Sequence, residues 1–95
     1  MNLKEFEDLA KKYNCLVMTD FDLDGTYYYL YAPKLASYRL ATFYPKFKST
    51  EMYTNNGKQQ FTEIEDLENN LIIKFKQLKQ KRIEKKLNDL EKDFE

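Results

Sequence analysis

Acidic and phenolic side chains crowd into one short run. Asp20, Asp22 and Asp24 alternate along VMTDFDLDGT, and Tyr27, Tyr29 and Tyr31 alternate along the TYYYLYA that follows. Alternation places Asp20 and Asp22 on one side of an extended strand, with Asp24 at the turn beside them, and Tyr27, Tyr29 and Tyr31 on one side of the next strand. Three carboxylates at that spacing repel one another, and a divalent cation would relieve the repulsion, which makes Asp20, Asp22 and Asp24 candidate metal ligands. No other cofactor is expected. Tyrosine offers a large contact area, little rotamer entropy to lose and a hydroxyl, a combination favoured in binding surfaces. Asp20, Asp22, Asp24, Tyr27, Tyr29 and Tyr31 together form the candidate partner-binding set. A second cluster is basic: Lys74, Lys79, Lys81, Arg82, Lys85 and Lys86, with Lys76 among them, could track phosphates. These cations spread around a helix, so a solvated helix surface is the plainer reading.

The residue types that are missing narrow the chemistry further. There is no His, which removes Ser-His-Asp and Cys-His nucleophile pairs and every His-ligated metal site. The one cysteine, Cys15, excludes an internal disulfide and a C-x-x-C motif and suits a reducing cytosol; at a helix-to-strand junction it reads as a small buried hydrophobe. Two glycines cannot build a phosphate-cradling loop. No catalytic residue is assigned, and no enzyme is expected.

Two short motifs overlap the acidic run. Asp22-Leu23-Asp24-Gly25-Thr26 resembles the first motif of haloacid dehalogenase-like phosphatases, in which the first Asp is the nucleophile, the second a general acid and base, and magnesium assists. That motif needs later Ser/Thr, Lys and acidic motifs on a Rossmann-like sheet, whereas a tyrosine run follows here at once. Asp20-Phe21-Asp22-Leu23-Asp24-Gly25 resembles the first half of an EF-hand loop, but the position that needs a bidentate Glu is Tyr31. A hairpin turn at Asp24-Gly25 accounts for the same residues.

The elements that position these groups follow from spacing. Asn2 with Glu5 forms a capping box at the start of a helix, and Leu3, Phe6, Leu9, Ala10 and Tyr13 make its apolar stripe. Asn14 suits the left-handed residue that ends it. A type I′ turn at Asp24-Gly25 pairs Asp22 with Tyr27, Asp20 with Tyr29 and Met18 with Tyr31. Val17, Thr19, Phe21, Tyr28, Leu30 and Ala32 then share a core face. Met18, Asp20, Asp22, Tyr27, Tyr29 and Tyr31 share the other. Pro33 closes that hairpin. YRLATFY at 38–44 is a third strand stopped by Pro45, and 51–54 with 58–61 form a second hairpin about Asn55-Asn56-Gly57.

From Thr62 to about Asp93 the pattern is helical. Thr62 and Glu65 read as a capping box, and Ile64, Leu67, Leu71, Phe75, Leu78, Ile83, Leu87, Leu90 and Phe94 form one drifting stripe. About 32 residues would span roughly 48 Å, so the helix must bend, break, overhang or pair, and a break near Gln80 to Glu84 suits a short chain. The fold class is α+β. It is a single domain over 1–95, with a helix at 1–14, a three- to five-stranded antiparallel sheet at 16–61, and a long helix or helix pair at 62–94 packed on it.

Lys plus Arg and Asp plus Glu are each 16 and cancel. Even so, residues 32–62 and 70–86 are net basic and the other stretches acidic. No apolar run approaches the roughly 18 to 20 residues of a membrane span, and the charged start MNLKEFEDLAKK is no secretory signal. No membrane partner is expected. Lys, Asn, Tyr, Phe and Ile, encoded by AT-rich codons, far outnumber Ala, Gly, Arg and Pro, which points to a low-GC bacterium or its phage.

A small, Tyr- and acid-rich α+β chain of this origin, poor in catalytic residues, resembles phage-encoded inhibitors of the anti-CRISPR type. The resemblance is one of class and no motif is shared. It implies a cytoplasmic protein of the host bacterial cytosol that binds a nucleic-acid-handling nuclease and blocks nucleic-acid loading or cleavage, with carboxylates standing where phosphates go. Two alternatives stand beside it. One is a nucleic-acid-binding accessory protein using the basic helix. The other is a structural or assembly protein that dimerises through Ile83, Leu87, Leu90 and Phe94. The chain itself is expected to be a monomer or a homodimer.

Overall fold

The first helix starts where its capping box places it. In this computed structural model, which describes the backbone of residues 1–93 and the side chains of residues 1–81, Asn2 accepts the Glu5 N–H at 2.8 Å. Glu5 accepts the Asn2 N–H at 3.1 Å in return. Helix α1 runs Leu3–Lys12, and Asn14, at φ 56°, turns the chain out of it. Five strands follow: β1 (Leu16–Asp22), β2 (Gly25–Tyr31), β3 (Ala41–Tyr44), β4 (Ser49–Thr54) and β5 (Gly57–Phe61). Each pairs antiparallel with the next, giving one sheet in the order β1-β2-β3-β4-β5. Helix α2 spans Ile64–Asp93. The architecture is the α+β fold expected from the sequence.

The first hairpin reverses one residue earlier than the Asp24-Gly25 reading places it. Asp22 pairs with Gly25, Asp20 with Tyr27, Met18 with Tyr29 and Leu16 with Tyr31. The reason lies in the loop. A type I′ turn needs positive φ at both central residues, but among the described non-glycine residues only Asn14 and Lys48 have it. Leu23 and Asp24 form the loop with ordinary φ. The Asp22 carboxylate accepts the Asp24 N–H at 2.8 Å, and Gly25, at φ 122°, takes the strained conformation just past the loop. The second hairpin is built alike, with loop residues Asn55-Asn56 and Gly57 at φ 93°. Because each β1 residue moves by two positions along β2, the face assignments survive.

The core lies on one side of the sheet. Leu30, Ala41, Phe43 and Met52 point into it and meet Phe6, Leu9 and Ala10 of α1 and Leu67, Leu71 and Phe75 of α2, all buried. The Phe6 and Phe43 rings stack 5.5 Å apart. Both helices therefore cover the same face. Thr19 and Phe21 point to this side as expected, yet the end of the first hairpin projects past the helices and leaves Phe21 78% exposed.

Two details of α2 differ from the sequence reading. Its first turn closes from the Glu63 carbonyl, which accepts the Leu67 N–H at 3.2 Å. The Thr62 carbonyl accepts instead from the Met1 ammonium at 2.7 Å, so the helix begins later than a Thr62–Glu65 box would place it. The helix is also continuous through 80–84. Among the described side chains its packing on the core reaches Leu78, and Lys79, Gln80 and Lys81 are exposed. The backbone runs on as helix, giving a long dimension of 54 Å against 25 and 24 Å. The third strand is shorter than 38–44, because residues 38–40 belong to the loop that brings Arg39 across the sheet. No helix among the described residues is long and apolar enough to cross a membrane.

Candidate functional site

Alternation along the strands gives the sheet a second face that neither helix covers among the described residues. Cross-strand pairing carries it from Met18 and Asp20 to Tyr29 and Tyr27, on to Thr42 and Tyr44, then Glu51 and Tyr53, and finally Lys58 and Gln60. Aromatic rings form its middle. Tyr27 lies 6.5 Å from Tyr29 and 5.9 Å from Tyr44, and Tyr44 meets Phe47 edge-on at 6.5 Å. The Arg39 guanidinium sits 4.5 Å from the Tyr29 ring centre and 5.5 Å from that of Tyr27. A cation over two π-faces is attracted by their quadrupoles, so Arg39 fixes both rings. Tyr27, Tyr29 and Tyr31 are half-buried, flanked by neighbours on their own face, with the helices on the opposite side of the sheet.

The six expected binding residues are only partly brought together. Asp20 stands directly across from Tyr27 on the open face, and Asp22 lies at the hairpin end of that face. Asp24 is in the turn. Tyr31 lies at the far end, across from Leu16. The acids are confined to the β1 margin, while the centre holds Arg39. The Asp20 carboxylate accepts the Phe21 N–H at 2.8 Å, just as Asp22 accepts that of Asp24. No group of three or more acidic or cysteine side chains able to hold a metal ion occurs among the described residues. Asp20 and Asp22 lie on β1, and Asp24 lies in the turn that follows it.

At the other margin Glu51 accepts from Lys58 at 3.0 Å and from Gln60 at 3.2 Å. Burial pushes the Glu51 carboxyl up, but these hydrogen bonds outweigh it and hold the group below the ordinary glutamate value. Burial and the Glu51 charge push the Tyr44 hydroxyl above the usual tyrosine value, so the ring presents a neutral O–H. Arg39, Thr42, Tyr44, Glu51, Tyr53 and Lys58 line a shallow depression of about 190 Å³.

Arg39, Tyr44, Glu51, Tyr53 and Lys58 were not among the residues expected from sequence. Writing the register through β3 and β4 would have found Tyr44, Glu51 and Tyr53, since they share a face with Tyr27 and Tyr29. Nothing periodic marks Arg39.

The basic helix is less organised. Lys74 turns its ammonium 5.8 Å over the Tyr38 ring, and Lys79 and Lys81 are exposed. Arg82, Lys85 and Lys86, like Ile83, Leu87, Leu90 and Phe94, lie outside the described side chains. Cys15 is half-buried, donates weakly to the Tyr13 carbonyl at 3.6 Å, and is pushed up by burial, which is not the setting of a reactive thiolate. No family model matches the chain, and no curated protein or solved structure matches it either.

Proposed function

We propose that this chain is a non-enzymatic binding protein. It docks the open face of its sheet, with the acids of the first hairpin alongside, onto a basic nucleic-acid-accepting surface of a larger protein. The class of target is a nuclease of the CRISPR effector kind, and the effect is to block loading or cleavage by occlusion. The observation that carries the reading is the uncovered tyrosine face. Tyr27, Tyr29 and Tyr44 are pre-ordered by one another and by Arg39, so little side-chain entropy remains to be lost on docking. Large, rigid amphipathic rings at the centre of a patch are the residues that carry binding energy in protein interfaces. Asp20 and Asp22 at the margin would steer the approach to a cationic channel.

The test is a cleavage assay with a guide-loaded effector nuclease titrated with this protein. Inhibition complete near one equivalent supports the reading, and Tyr29→Ala weakens it about 10- to 30-fold. No inhibition at excess, or inhibition saturating far below one equivalent, overturns occlusion of that target. A gel shift on single-stranded nucleic acid separates the alternative, because stacking of bases on the same rings would bind without the nuclease and weaken steeply with salt.

A further inference from the structure

We propose that β1 is a self-pairing edge, and that two copies of the chain join antiparallel through it into one continuous sheet. The argument begins with which backbone groups face outward. Asp22 and Gly25 flank a two-residue loop, so they form a hydrogen-bonded pair. Bonding alternates along an antiparallel ladder. Asp20, Met18 and Leu16 therefore bond β2, while Val17, Thr19 and Phe21 turn their N–H and C=O groups away from the sheet. The Phe21 N–H is met by the Asp20 side chain rather than left bare. Strand β1 has seven residues and contains neither Lys nor Pro, the residues that commonly blunt such edges. Its apolar side chains lie open to solvent: Leu16, Met18 and Phe21, with Leu23 in the turn.

The occupant is identified by the pattern itself. A two-fold centred on Thr19 pairs all seven residues of β1. Thr19 meets its own copy, Val17 meets Phe21, Met18 meets Asp20, and Leu16 meets Asp22. Every acid then faces an apolar residue. Moving the two-fold by one residue toward the turn sets Asp20 against Asp20, and moving it by two sets Asp20 against Asp22. Moving it the other way shortens the pairing. The register that uses the whole strand is the one that keeps like charges apart, and it seats the exposed Phe21 ring beside Val17. The two-fold is perpendicular to the sheet, so the interface is isologous. All four helices lie on one side, and the two tyrosine faces join on the other. The Asp20 carboxylate gives up the Phe21 N–H to the partner strand and remains in water.

Sedimentation equilibrium over a concentration series tests this on the full chain, with circular dichroism confirming that each variant is folded. The wild type is expected to dimerise, and more tightly as salt screens the acids across the interface. Met18→Asp sets acid against acid twice by symmetry and weakens the dimer about two- to thirtyfold. Met18→Lys sets opposite charges and strengthens it by a similar factor. Thr19→Pro removes the two central bonds while sparing the β2 ladder. Because proline at that position also strains β1 itself, register is read independently with Thr19→Cys in a Cys15→Ser background. Directly paired residues lie within disulfide reach, so mild oxidation is expected to link the two copies at residue 19. A chain monomeric at all concentrations, Met18 variants without opposite effects, or no disulfide between the two copies of residue 19 in the Thr19→Cys variant would each overturn the proposal.

Discussion

The two edges of the sheet are finished in different ways. Strand β5 is short and polar, and Lys58 and Gln60 are both tied back to Glu51 of β4. Helix α2 packs over it, and the Met1 ammonium binds the Thr62 carbonyl at its end. A stray strand meets a fixed charge and a covered terminus there. Strand β1 is longer, carries exposed Leu16, Met18 and Phe21, and has only Asp20 and Asp22 to discourage a neighbour. Within one sheet, then, one edge is guarded by an ion pair and a packed helix, and the other leaves apolar side chains open beside its acids. Polarity alone does not decide this, because both edges carry charge. What differs is the partner: Lys58 is held by the opposite charge of Glu51, whereas Asp20 and Asp22 accept backbone N–H groups and keep their net charge.

The largest effects come from the helices that roof the two edges. Phe6 is fully buried against Phe43 and anchors α1 on the β1 side, and Leu71 does the same for α2 on the β5 side. Phe6→Ala is expected to cost about 3–5 kcal/mol and Leu71→Ala about 2–5 kcal/mol. Each is a large part of the stability of a domain this size, and urea midpoints would read it. A near-neutral result for either would mean that its edge does not depend on its helix. Next come the two turn glycines. A Cβ added at Gly25 or Gly57 meets nothing within 4 Å, so the cost is that of the backbone angle alone. Each Gly→Ala change is expected to cost about 1–2 kcal/mol. Equal losses are expected in thermal melts, since both loops reverse the same way. Only Gly25→Ala should also disturb pairing through β1.

How much of this the sequence carried depends on the range of each interaction. The Asn2–Glu5 box, the Asn14 stop and both hairpins are local, and residue types three or four apart announce them. The division of β1 and β2 into two faces was legible as well. It survived a turn misplaced by one residue because side-chain alternation has a period of two and the partner shifted by two. The misplacement itself arose because Asp-Gly admits two geometries, and the Asp22 carboxylate selects between them by holding the Asp24 N–H. Which face the helices would cover was legible too, since Val17, Leu30 and Ala32 marked it as core, but how that face continues into β3 and β4 was not. The burial of Phe43 and Met52 beside Leu30 decides it, and that needs the register of strands whose arms are short. Arg39 reaches Tyr27 and Tyr29 from a loop with no periodicity, so only the folded chain reveals the stack. The continuity of α2 through 80–84 is likewise a helix following its own propensity where the apolar stripe skips.

The smallest predicted effect separates the two edges by pH. Each has one carboxylate held below its ordinary value. Glu51 is held by Lys58 and Gln60 against the opposing push of burial, and it fastens β5. Glu68 is held by hydrogen bonds from Lys12 and Tyr13, and it ties α2 to α1 above β1. A carboxylate whose folded value lies below its unfolded one adds stability that is complete above the ordinary glutamate range. That stability is lost as pH falls through the depressed value. Glu51→Gln and Glu68→Gln should therefore leave little difference from wild type in strong acid and a deficit near neutrality, flattening the acid limb of urea midpoint against pH. The Glu51 variant should flatten it more. The Glu51 and Lys58 side chains are 19% and 50% exposed, against 25% and 62% for Glu68 and Lys12, so water screens the β5 pair less. If Glu68→Gln flattened the limb more, the contact between the helices would be the stronger clasp, and the β5 edge would owe its closure to α2 alone.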